Sequence, residues 1–186
     1  MHFLKTEIAD LYIIEPKLIK DSRGYFMESF KKKWFNDNFR NIDFIQENES
    51  KSRFGVLRGL HFQVPPFEQT KLVRVISGKV LDVAVDIRKS SKTYGKHVSV
   101  ILSEENKKQF LIPKGFAHGF VVLSDSAIFS YKVDNYYSPD HEFGILYNDP
   151  ILNIDWKCND KDILLSKKDK SNLNFDKINN CFKWKF

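Results

Sequence analysis

Short runs of alternating apolar and polar residues, separated by turn residues, make up most of the first 133 residues of the chain. Alternation with a period of two is typical of β-strands that are buried on one face. Many short strands without intervening helices indicate a β-sandwich or a β-barrel. Between residues 70 and 133, the predicted strands are 73–76, 80–87, 98–102, 109–112, 119–123 and 127–133.

The N-terminal part follows the same pattern with one interruption. A turn is predicted at Asp21-Ser22-Arg23-Gly24, because these residue types favour turns. Residues 31–39 are the best helix candidate, since their three largest aromatic residues would share one side of a helix. Gln46 and Asn48 are expected to share one face of a strand. The segments with strand character are 3–20, 25–30 and 42–48.

The C-terminal part has a weaker pattern. Connections rich in Tyr, Asp and Pro follow residue 134, and the tail after residue 155 is polar and rich in lysine. No internal repeat and no linker divides the sequence. We therefore expect a single all-β domain over residues 1–186 with a few short helices, and a polar C-terminal appendage from about residue 155.

The amino-acid composition is typical of a soluble globular protein. The 186 residues include 17 Phe and 7 Tyr, which suit a β-rich interior. There is no run of 18 apolar residues, and the first seven residues lack the apolar core of a signal peptide, so we expect no membrane partner and a cytoplasmic location. Cys158 and Cys181 lack a disulfide-framework spacing and are expected to be thiols.

The net charge of +6 raises the question of a nucleic-acid partner. The lysines alternate with 24 acidic residues, however, and many lie in the last 30 residues. A solvated surface accounts for this distribution better than a nucleic-acid interface does, so we expect no nucleic acid. The positive balance is compatible with a small anionic ligand such as a nucleotide diphosphate.

Candidate chemistry concentrates in two neighbouring strand-like runs, 55–63 and 71–74. Within 17 residues they place His61, Gln63 and Lys71 among apolar neighbours. If the two runs pair as antiparallel strands, an imidazole, an amide and an ammonium would converge on one sheet face. Taken alone, a core histidine beside a lysine that extends to the surface is the simpler explanation.

A second stretch narrows the fold. Pro113-x-Gly115-x-x-His118 resembles the second conserved motif of the cupin superfamily, which has a jelly-roll architecture, and the region from His61 to Gly78 resembles the first. Metal-binding members have a second histidine where this chain has Gln63 and a glutamate where it has Lys71. An ammonium repels a divalent ion, so a metal-free site is favoured over a metal-dependent oxygenase or isomerase.

The similarity is closer than the superfamily level. Leu57-Arg58-Gly59-Leu60-His61-Phe62-Gln63 is one of a series of ordered blocks that resemble the dTDP-4-dehydrorhamnose 3,5-epimerase family over roughly residues 4–170. No such block lies in residues 171–186. The blocks are 21–28, 46–50, 57–63, 69–74, 82–88, 112–120, 131–132, 148–150, 154–156 and 165–169.

This resemblance implies an isomerase that needs no cofactor and inverts the two carbons beside the C4 keto group of a dTDP-4-keto-6-deoxyhexose, converting dTDP-4-dehydro-6-deoxy-D-glucose to dTDP-4-dehydro-L-rhamnose. The residue chemistry agrees with it. His61 can act as the base and Lys71 can hold the charge of the enolate. We choose Tyr131 as the acid on the opposite face. The resemblance alone makes Asp169 the carboxylate that orients His61.

The resemblance also implies the contacts to the sugar and the diphosphate, an aromatic residue at Tyr137 that stacks on thymine, and a homodimer. Three alternatives stay open: an epimerase acting at C3 only, an epimerase of another nucleotide-linked sugar such as a GDP-4-keto-heptose, and a sugar-nucleotide-binding cupin without turnover. The residues assigned to substrate binding are Arg23, Phe26, Glu28, Gln46, Asn48, Arg58, His118, Tyr137, Glu142 and Lys168.

Overall fold

The computed structural model describes residues 1–39 and 42–180, which form mainly antiparallel strands. Three short 3-10 helices lie in the C-terminal part of the described chain, at Pro139–His141, Asp160–Asp162 and Phe175–Asn180. The strands are β1 (His2–Lys5), β2 (Tyr12–Glu15), β3 (Ile19–Asp21), β4 (Gly24–Phe26), β5 (Gln46–Arg53), β6 (Leu57–Gln63), β7 (Lys71–Ser77), β8 (Lys79–Asp86), β9 (His97–Ser103), β10 (Gln109–Ile112), β11 (Phe116–Val122), β12 (Ser126–Val133) and β13 (Glu142–Gly144), and the helices are α1 (Lys32–Asn38) and α2 (Lys167–Lys170).

Most strands belong to two sheets that face each other. The first sheet has the order β1-β2-β10-β7-β12-β5, and the second has the order β13-β6-β11-β8-β9. Strands β3 and β4 form a separate hairpin. The side chains between the sheets are apolar and buried, and Phe120 of the second sheet stacks on Phe129 of the first with ring centroids 4.2 Å apart. This arrangement confirms the predicted all-β sandwich.

Both sheets are also covered on their outer faces. Phe35 of helix α1 and Phe39, the residue that follows the helix, pack against the first sheet. The C-terminal segment packs Trp156, Phe175 and Ile178 against the second. Strand β8 is therefore buried on both faces, which explains why it is apolar almost throughout instead of alternating. The segment after residue 155 has polar exposed residues, but it also completes the core.

The predicted element positions agree closely with the observed ones. The helix was expected over 31–39 and is observed at Lys32–Asn38, and the turn expected at residues 21–24 joins β3 to β4. Strand β5 begins at Gln46, four residues later than predicted, and continues to Arg53. Cys158 is a free thiol, whereas Cys181 lies outside the described residues.

The expected pairing of the two runs around His61 and Lys71 is wrong. Strand β6 pairs with β11 and β13 in the second sheet, whereas β7 pairs with β10 and β12 in the first. Alternation fixes which face of a strand is buried, but it carries no information about the neighbouring strand. His61 and Lys71 therefore meet across the sandwich, and not side by side on one sheet.

One C-terminal segment, residues 163–173, is fixed at both ends, and we call it the strap. At its start, the Leu57 amide donates to the Leu164 carbonyl at 3.0 Å, and the Leu164 amide donates to the Gly55 carbonyl at 2.8 Å. At its end, the Leu173 amide donates to the Gly144 carbonyl at 3.1 Å. Gly55 has φ +77°, and a Cβ there would lie 2.0 Å from the Asp162 carbonyl oxygen, so only glycine fits. The strap carries α2 across one end of the sandwich.

No helix in the described part of the chain combines the length and apolar character needed to cross a membrane.

Candidate active site

A cavity of about 500 Å³ opens between the two sheets beneath the strap. Its walls come from β5, β7 and β12 on one side, β6 and β11 on the other, and the strap above. The four residues expected to carry the chemistry all line this cavity. They are His61, Lys71, Tyr131 and Asp169.

His61 of β6 and Asp169 of the strap form a short hydrogen bond. His61 Nε2 lies 2.6 Å from Asp169 Oδ1, and the side chain of Asp169 is only 4% exposed. Burial disfavours the charged carboxylate, but hydrogen bonds from His61, Ser166 and the Gly59 backbone outweigh it, so the pKa of Asp169 is lowered. Asp169 is therefore ionised at neutral pH and accepts the Nε2 hydrogen.

This hydrogen bond sets the tautomer of the imidazole. A neutral imidazole that donates from Nε2 carries its lone pair on Nδ1. The nearest carboxylate oxygen to Nδ1 is Glu142 Oε1, at 3.9 Å, which is too long for a hydrogen bond. Nδ1 is thus the ring nitrogen that can accept a proton from a bound molecule.

Lys71 stands opposite, at the start of β7 in the first sheet. Burial lowers the pKa of its ammonium, and the negative charges of Glu142 and Asp82 offset part of that shift. A partly desolvated cation in a cavity interacts strongly with any negative charge that develops nearby, because the local dielectric constant is low. Lys71 is therefore suited to stabilise an anionic oxygen of a bound molecule.

Tyr131 lies on β12, in the same sheet as Lys71, with its backbone opposite Asn48 in the ladder between β12 and β5. Burial raises the pKa of the Tyr131 phenol, and the charge of Glu142 raises it further. The positive charge of Arg58 and a hydrogen bond with the Asn48 side chain act in the other direction. The phenol therefore holds its proton at neutral pH and can serve as an acid.

A second histidine and carboxylate pair lies on the second sheet. His118 of β11 is directly opposite His61 of β6 in the strand register, and its Nε2 is 3.0 Å from each carboxylate oxygen of Asp82. Asp82 is fully buried, and His118 is buried but lines the cavity. The geometry fixes the imidazole of His118 for contact with a ligand.

Three more of the expected contacts lie on β5 and β6. Arg58 lines the cavity and donates to Ser52 Oγ at 3.2 Å. The Gln46 amide donates to Asn48 Oδ1 at 2.8 Å on β5, as expected for two residues on one face.

A cluster next to His61 joins β13 to the strap. The Tyr137 hydroxyl donates to Glu142 Oε2 at 2.7 Å, and the Lys168 ammonium contacts the same oxygen. Burial disfavours the charged Glu142, but these two donors outweigh it, so the pKa of Glu142 is lowered. The ring of Tyr137 is more than half exposed, which leaves a face open for stacking.

Of the expected contacts, only Arg58 and His118 line the cavity itself. Three of the others lie on a separate part of the chain. Arg23 pairs with Asp21 at 2.6 Å and its side chain is 88% exposed. Phe26 is 64% exposed on β4, and Glu28 pairs with Lys31 at 3.0 Å. All three lie on or just after the separate β3–β4 hairpin.

Sequence reasoning missed two side chains at the site. Asp82 is hydrogen-bonded to His118. A carboxylate within the apolar run of strand β8 was a signal that could have identified it. Ser166 donates to Asp169 at 2.6 Å. The spacing Ser166-x-x-Asp169 is typical of a helix N-cap and could have identified this pair.

Within residues 1–39 and 42–180, no group of three or more His, Cys, Asp or Glu side chains is placed to hold a metal ion. Both cavity histidines direct Nε2 at a carboxylate. The metal-free site stays a prediction that elemental analysis can test.

Known proteins resemble this chain over nearly its whole length. The family model for dTDP-4-dehydrorhamnose 3,5-epimerase matches residues 5–177. A dTDP-4-dehydrorhamnose 3,5-epimerase from Shigella flexneri is 55% identical over 176 residues, which is 94% of this chain and 96% of the relative.

Two solved structures bear on the site. The dTDP-6-deoxy-D-glucose-3,5-epimerase of Legionella pneumophila, in complex with dTDP-4-keto-L-rhamnose, is 48% identical with a TM-score of 0.94, covering 100% of this chain and 99% of its own. A 3'-monoepimerase from Streptomyces bikiniensis, in complex with dTDP-quinovose, is 30% identical with a TM-score of 0.87, covering 97% of this chain and 90% of its own. The match of the family model and the identity to these relatives show that the chain belongs to the dTDP-4-dehydrorhamnose 3,5-epimerase family.

Proposed function

We propose that this protein inverts C3 and C5 of a dTDP-4-keto-6-deoxyhexose, converting dTDP-4-dehydro-6-deoxy-D-glucose to dTDP-4-dehydro-L-rhamnose without a cofactor. The observation that carries the proposal is the placement of a base, a cation and an acid on opposing walls of one cavity. His61 with Asp169 forms one wall, and Lys71 with Tyr131 forms the other. The family of the chain supports the choice of substrate.

The first step is removal of a proton beside the C4 carbonyl. Nδ1 of His61 accepts the proton, and the carbon–hydrogen electron pair moves into a carbon–carbon double bond while the carbonyl oxygen becomes an enolate. Asp169 stabilises the imidazolium that forms, through the Nε2 hydrogen bond. Lys71 stabilises the enolate oxygen, which is the charge that appears only after proton removal.

The second step returns a proton to the opposite face of the same carbon. The phenol of Tyr131 donates it, the enolate collapses to the ketone and the configuration is inverted. Tyr131 and His61 belong to different sheets, so the sugar ring can lie between them. His61 then releases its proton to water and the Tyr131 phenolate takes one up from water, which restores the base and the acid. The same steps at the other carbon complete the double inversion, since C3 and C5 both adjoin C4.

Nucleotide recognition is assigned to Arg58 of the cavity and to the cluster around Glu142 beside it. The open face of Tyr137 suits stacking on thymine, and the cations Arg58 and Lys168 suit the diphosphate. If base choice is made there, dTDP raises the melting temperature of the protein more than GDP does. A larger shift with GDP would instead favour a guanosine-linked 4-keto sugar as the substrate.

Exchange in heavy water tests the reaction and its carbon specificity together. Incubation with the dTDP-4-keto-6-deoxyhexose in D₂O should place deuterium at both C3 and C5, as read by NMR of the product. No incorporation at either carbon would refute the proposal. Deuterium at C3 alone would assign the chain to the activity that names the Streptomyces bikiniensis relative, the 3'-monoepimerase.

Replacing Tyr131 by phenylalanine should separate the two steps. The phenol proton is lost but the ring is kept, so inversion should fall by about 10²-fold, the usual contribution of one general acid. Exchange of the substrate hydrogens should fall much less, because His61 can still remove and return a proton on its own face. Parallel NMR assays of exchange and of inverted product measure both rates. An equal loss in both would show that Tyr131 has another role.

A homodimer accounts for the three expected contacts that lie on or just after the β3–β4 hairpin. Ile19, Tyr25 and Phe26 are all more than half exposed on the β3–β4 hairpin, which is a large apolar surface for so short an element. In a twofold dimer, the hairpin of one protomer can cover the cavity of its partner and supply Arg23, Phe26 and Glu28. We propose this arrangement, together with a cytoplasmic location.

Mixed dimers test the shared site. Arg23→Ala and His61→Ala should each be inactive as pure dimers. Co-expressed with different tags, they should form mixed dimers in which one site has both wild-type residues, so the whole population recovers about one quarter of wild-type activity. The control is His61→Ala mixed with Asp169→Ala. His61 and Asp169 of one chain belong to the same site, so each variant chain inactivates its own site and the mixed dimer should stay inactive. Absence of recovery in the first mixture would place Arg23 outside the partner's cavity.

A further inference from the structure

We infer that Ser166 is a positioning residue for proton transfer: its hydroxyl fixes the Asp169 carboxylate in the orientation from which Asp169 aligns His61. This inference rests on the proposed role of His61 as the base. It concerns a side chain that does not itself exchange a proton with the sugar. Its evidence is the set of contacts around one buried carboxylate.

Each oxygen of that carboxylate has its own donor. Oδ1 of Asp169 accepts from His61 Nε2 at 2.6 Å, and Oδ2 accepts from the Ser166 hydroxyl at 2.6 Å. With a side-chain donor on each oxygen, a further hydrogen bond from the Gly59 backbone and a side chain only 4% exposed, the carboxylate cannot rotate without losing a donor. The plane of the carboxylate, and hence the direction of its hydrogen bond to His61, is set by Ser166.

Ser166 acts on the backbone as well. Its Oγ accepts from the Asp169 amide at 3.1 Å, which is the N-cap contact of the four-residue helix α2. Capping alone is a weak reason for this serine, because the strap is held at both ends by backbone bonds of Leu164 and Leu173. The hydroxyl hydrogen, which a cap does not use, is the one that reaches the carboxylate.

The Ser166 hydroxyl also affects the protonation of Asp169. Burial favours the protonated form of Asp169, and the donors from His61 and Ser166 outweigh it and lower its pKa. Other charged groups near the pair include Glu142, which lies 3.9 Å from His61 Nδ1 and pairs with Lys168 of α2. Lys71 and Arg58 line the same cavity. Loss of the Ser166 donor therefore raises the pKa of Asp169, and the ionised form required to hold His61 is lost at a higher pH.

Four variants separate positioning from capping. Ser166→Ala removes both contacts. Ser166→Gly removes the hydroxyl but is nearly as good an N-cap residue as serine, and Ser166→Thr keeps the hydroxyl. Ser171→Ala is the matched control, since Ser171 caps the other end of α2 by donating to the Lys168 carbonyl at 2.9 Å and does not contact Asp169.

We expect Ser166→Ala and Ser166→Gly to lower kcat by about 10-fold to 100-fold, the effect of one hydrogen bond to a charged group, with KM and dTDP affinity unchanged. The acidic limb of kcat against pH should move to higher pH in both variants. Ser166→Thr should restore the rate and the pH profile, and Ser171→Ala should match wild type. A purely structural role would lower the rate equally at every pH, or follow melting temperature, and would overturn the inference.

A second measurement distinguishes failure of the inference from failure of the proposed function. The carboxyl carbon of Asp169 can be titrated by ¹³C NMR without substrate, and its midpoint should rise in Ser166→Ala but not in Ser171→Ala. An unchanged midpoint refutes the positioning role, even if the enzyme is active. Absence of deuterium exchange in wild-type protein would refute the proposed function, and the titration would still decide the hydrogen bond.

Discussion

Replacing His61 by alanine is expected to lower kcat by about 10³-fold or more, and to remove deuterium incorporation at both C3 and C5. General bases contribute about 10²-fold to 10⁴-fold, and here one imidazole serves both carbons. The loss should fall on kcat and not on KM, because the base acts after the sugar has bound. Steady-state kinetics and NMR of the product in D₂O measure the two effects.

His97→Ala is the matched control for this substitution. His97 lies on β9, outside the cavity, so the variant should keep wild-type exchange at both carbons. Retention of exchange at one carbon in His61→Ala would mean that a different base serves that carbon. The single-base mechanism would then be wrong, although the reaction class would stand.

Replacing Lys71 by methionine should have the second largest effect, and it should act in opposite directions on activity and stability. Activity should fall by about 10²-fold to 10³-fold, because the enolate oxygen loses its cation. Stability should increase. Burial lowers the pKa of Lys71 below its ordinary value of 10.5, so the folded protein binds this proton less tightly than the unfolded chain does.

This difference in proton binding determines the direction of the stability change. Burial of the Lys71 ammonium costs folding free energy at every pH below 10.5, and this cost shrinks only as pH rises from the lowered pKa of Lys71 towards 10.5. Methionine has a similar length and no charge, so the melting temperature at pH 7 should rise by about 2–4 °C for each kcal/mol removed. A fall in melting temperature would show that the attraction of Lys71 to Glu142 and Asp82 exceeds its burial cost.

The alkaline side of the pH profile offers a further check on Lys71. Activity needs the charged amine, so it should decline as pH rises through the lowered pKa of Lys71. The pKa of Tyr131 is raised above its ordinary value of 10.0, so loss of the phenol proton comes later. Lys71→Arg keeps a permanent charge and should move the alkaline limb to higher pH. An unmoved limb would assign that titration to another group.

Local features of the fold followed well from the sequence, because alternation and turn residues act over short distances. The boundaries of β10 were predicted to the residue, and α1 was found within one residue at each end. The partners of β6 and β7 could not be found in this way. They depend on contacts between residues that are far apart in the chain, and alternation looks the same whichever strand lies beside it.

The candidate site shows the same division. His61, Lys71 and Tyr131 stand on strands, and their residue types suggested roles that the cavity is consistent with. Asp169 lies in a polar tail, and only the resemblance to the family singled it out. It reaches His61 because the strap folds back 108 residues later in the chain, which no local pattern reveals. Arg23 was assigned to a site that its own chain does not place it in.

The division of base and acid between two facing sheets ties catalysis to the thickness of the protein interior. The spacing between His61 and Tyr131 is maintained by aromatic packing such as the Phe120 and Phe129 pair, which contributes to the floor of the cavity. Enlarging or trimming that pair would change how far a proton must travel, without altering any group that handles it. Evolution can therefore adjust the rate of this enzyme, and the ring size it accepts, by repacking the hydrocarbon between the two sheets.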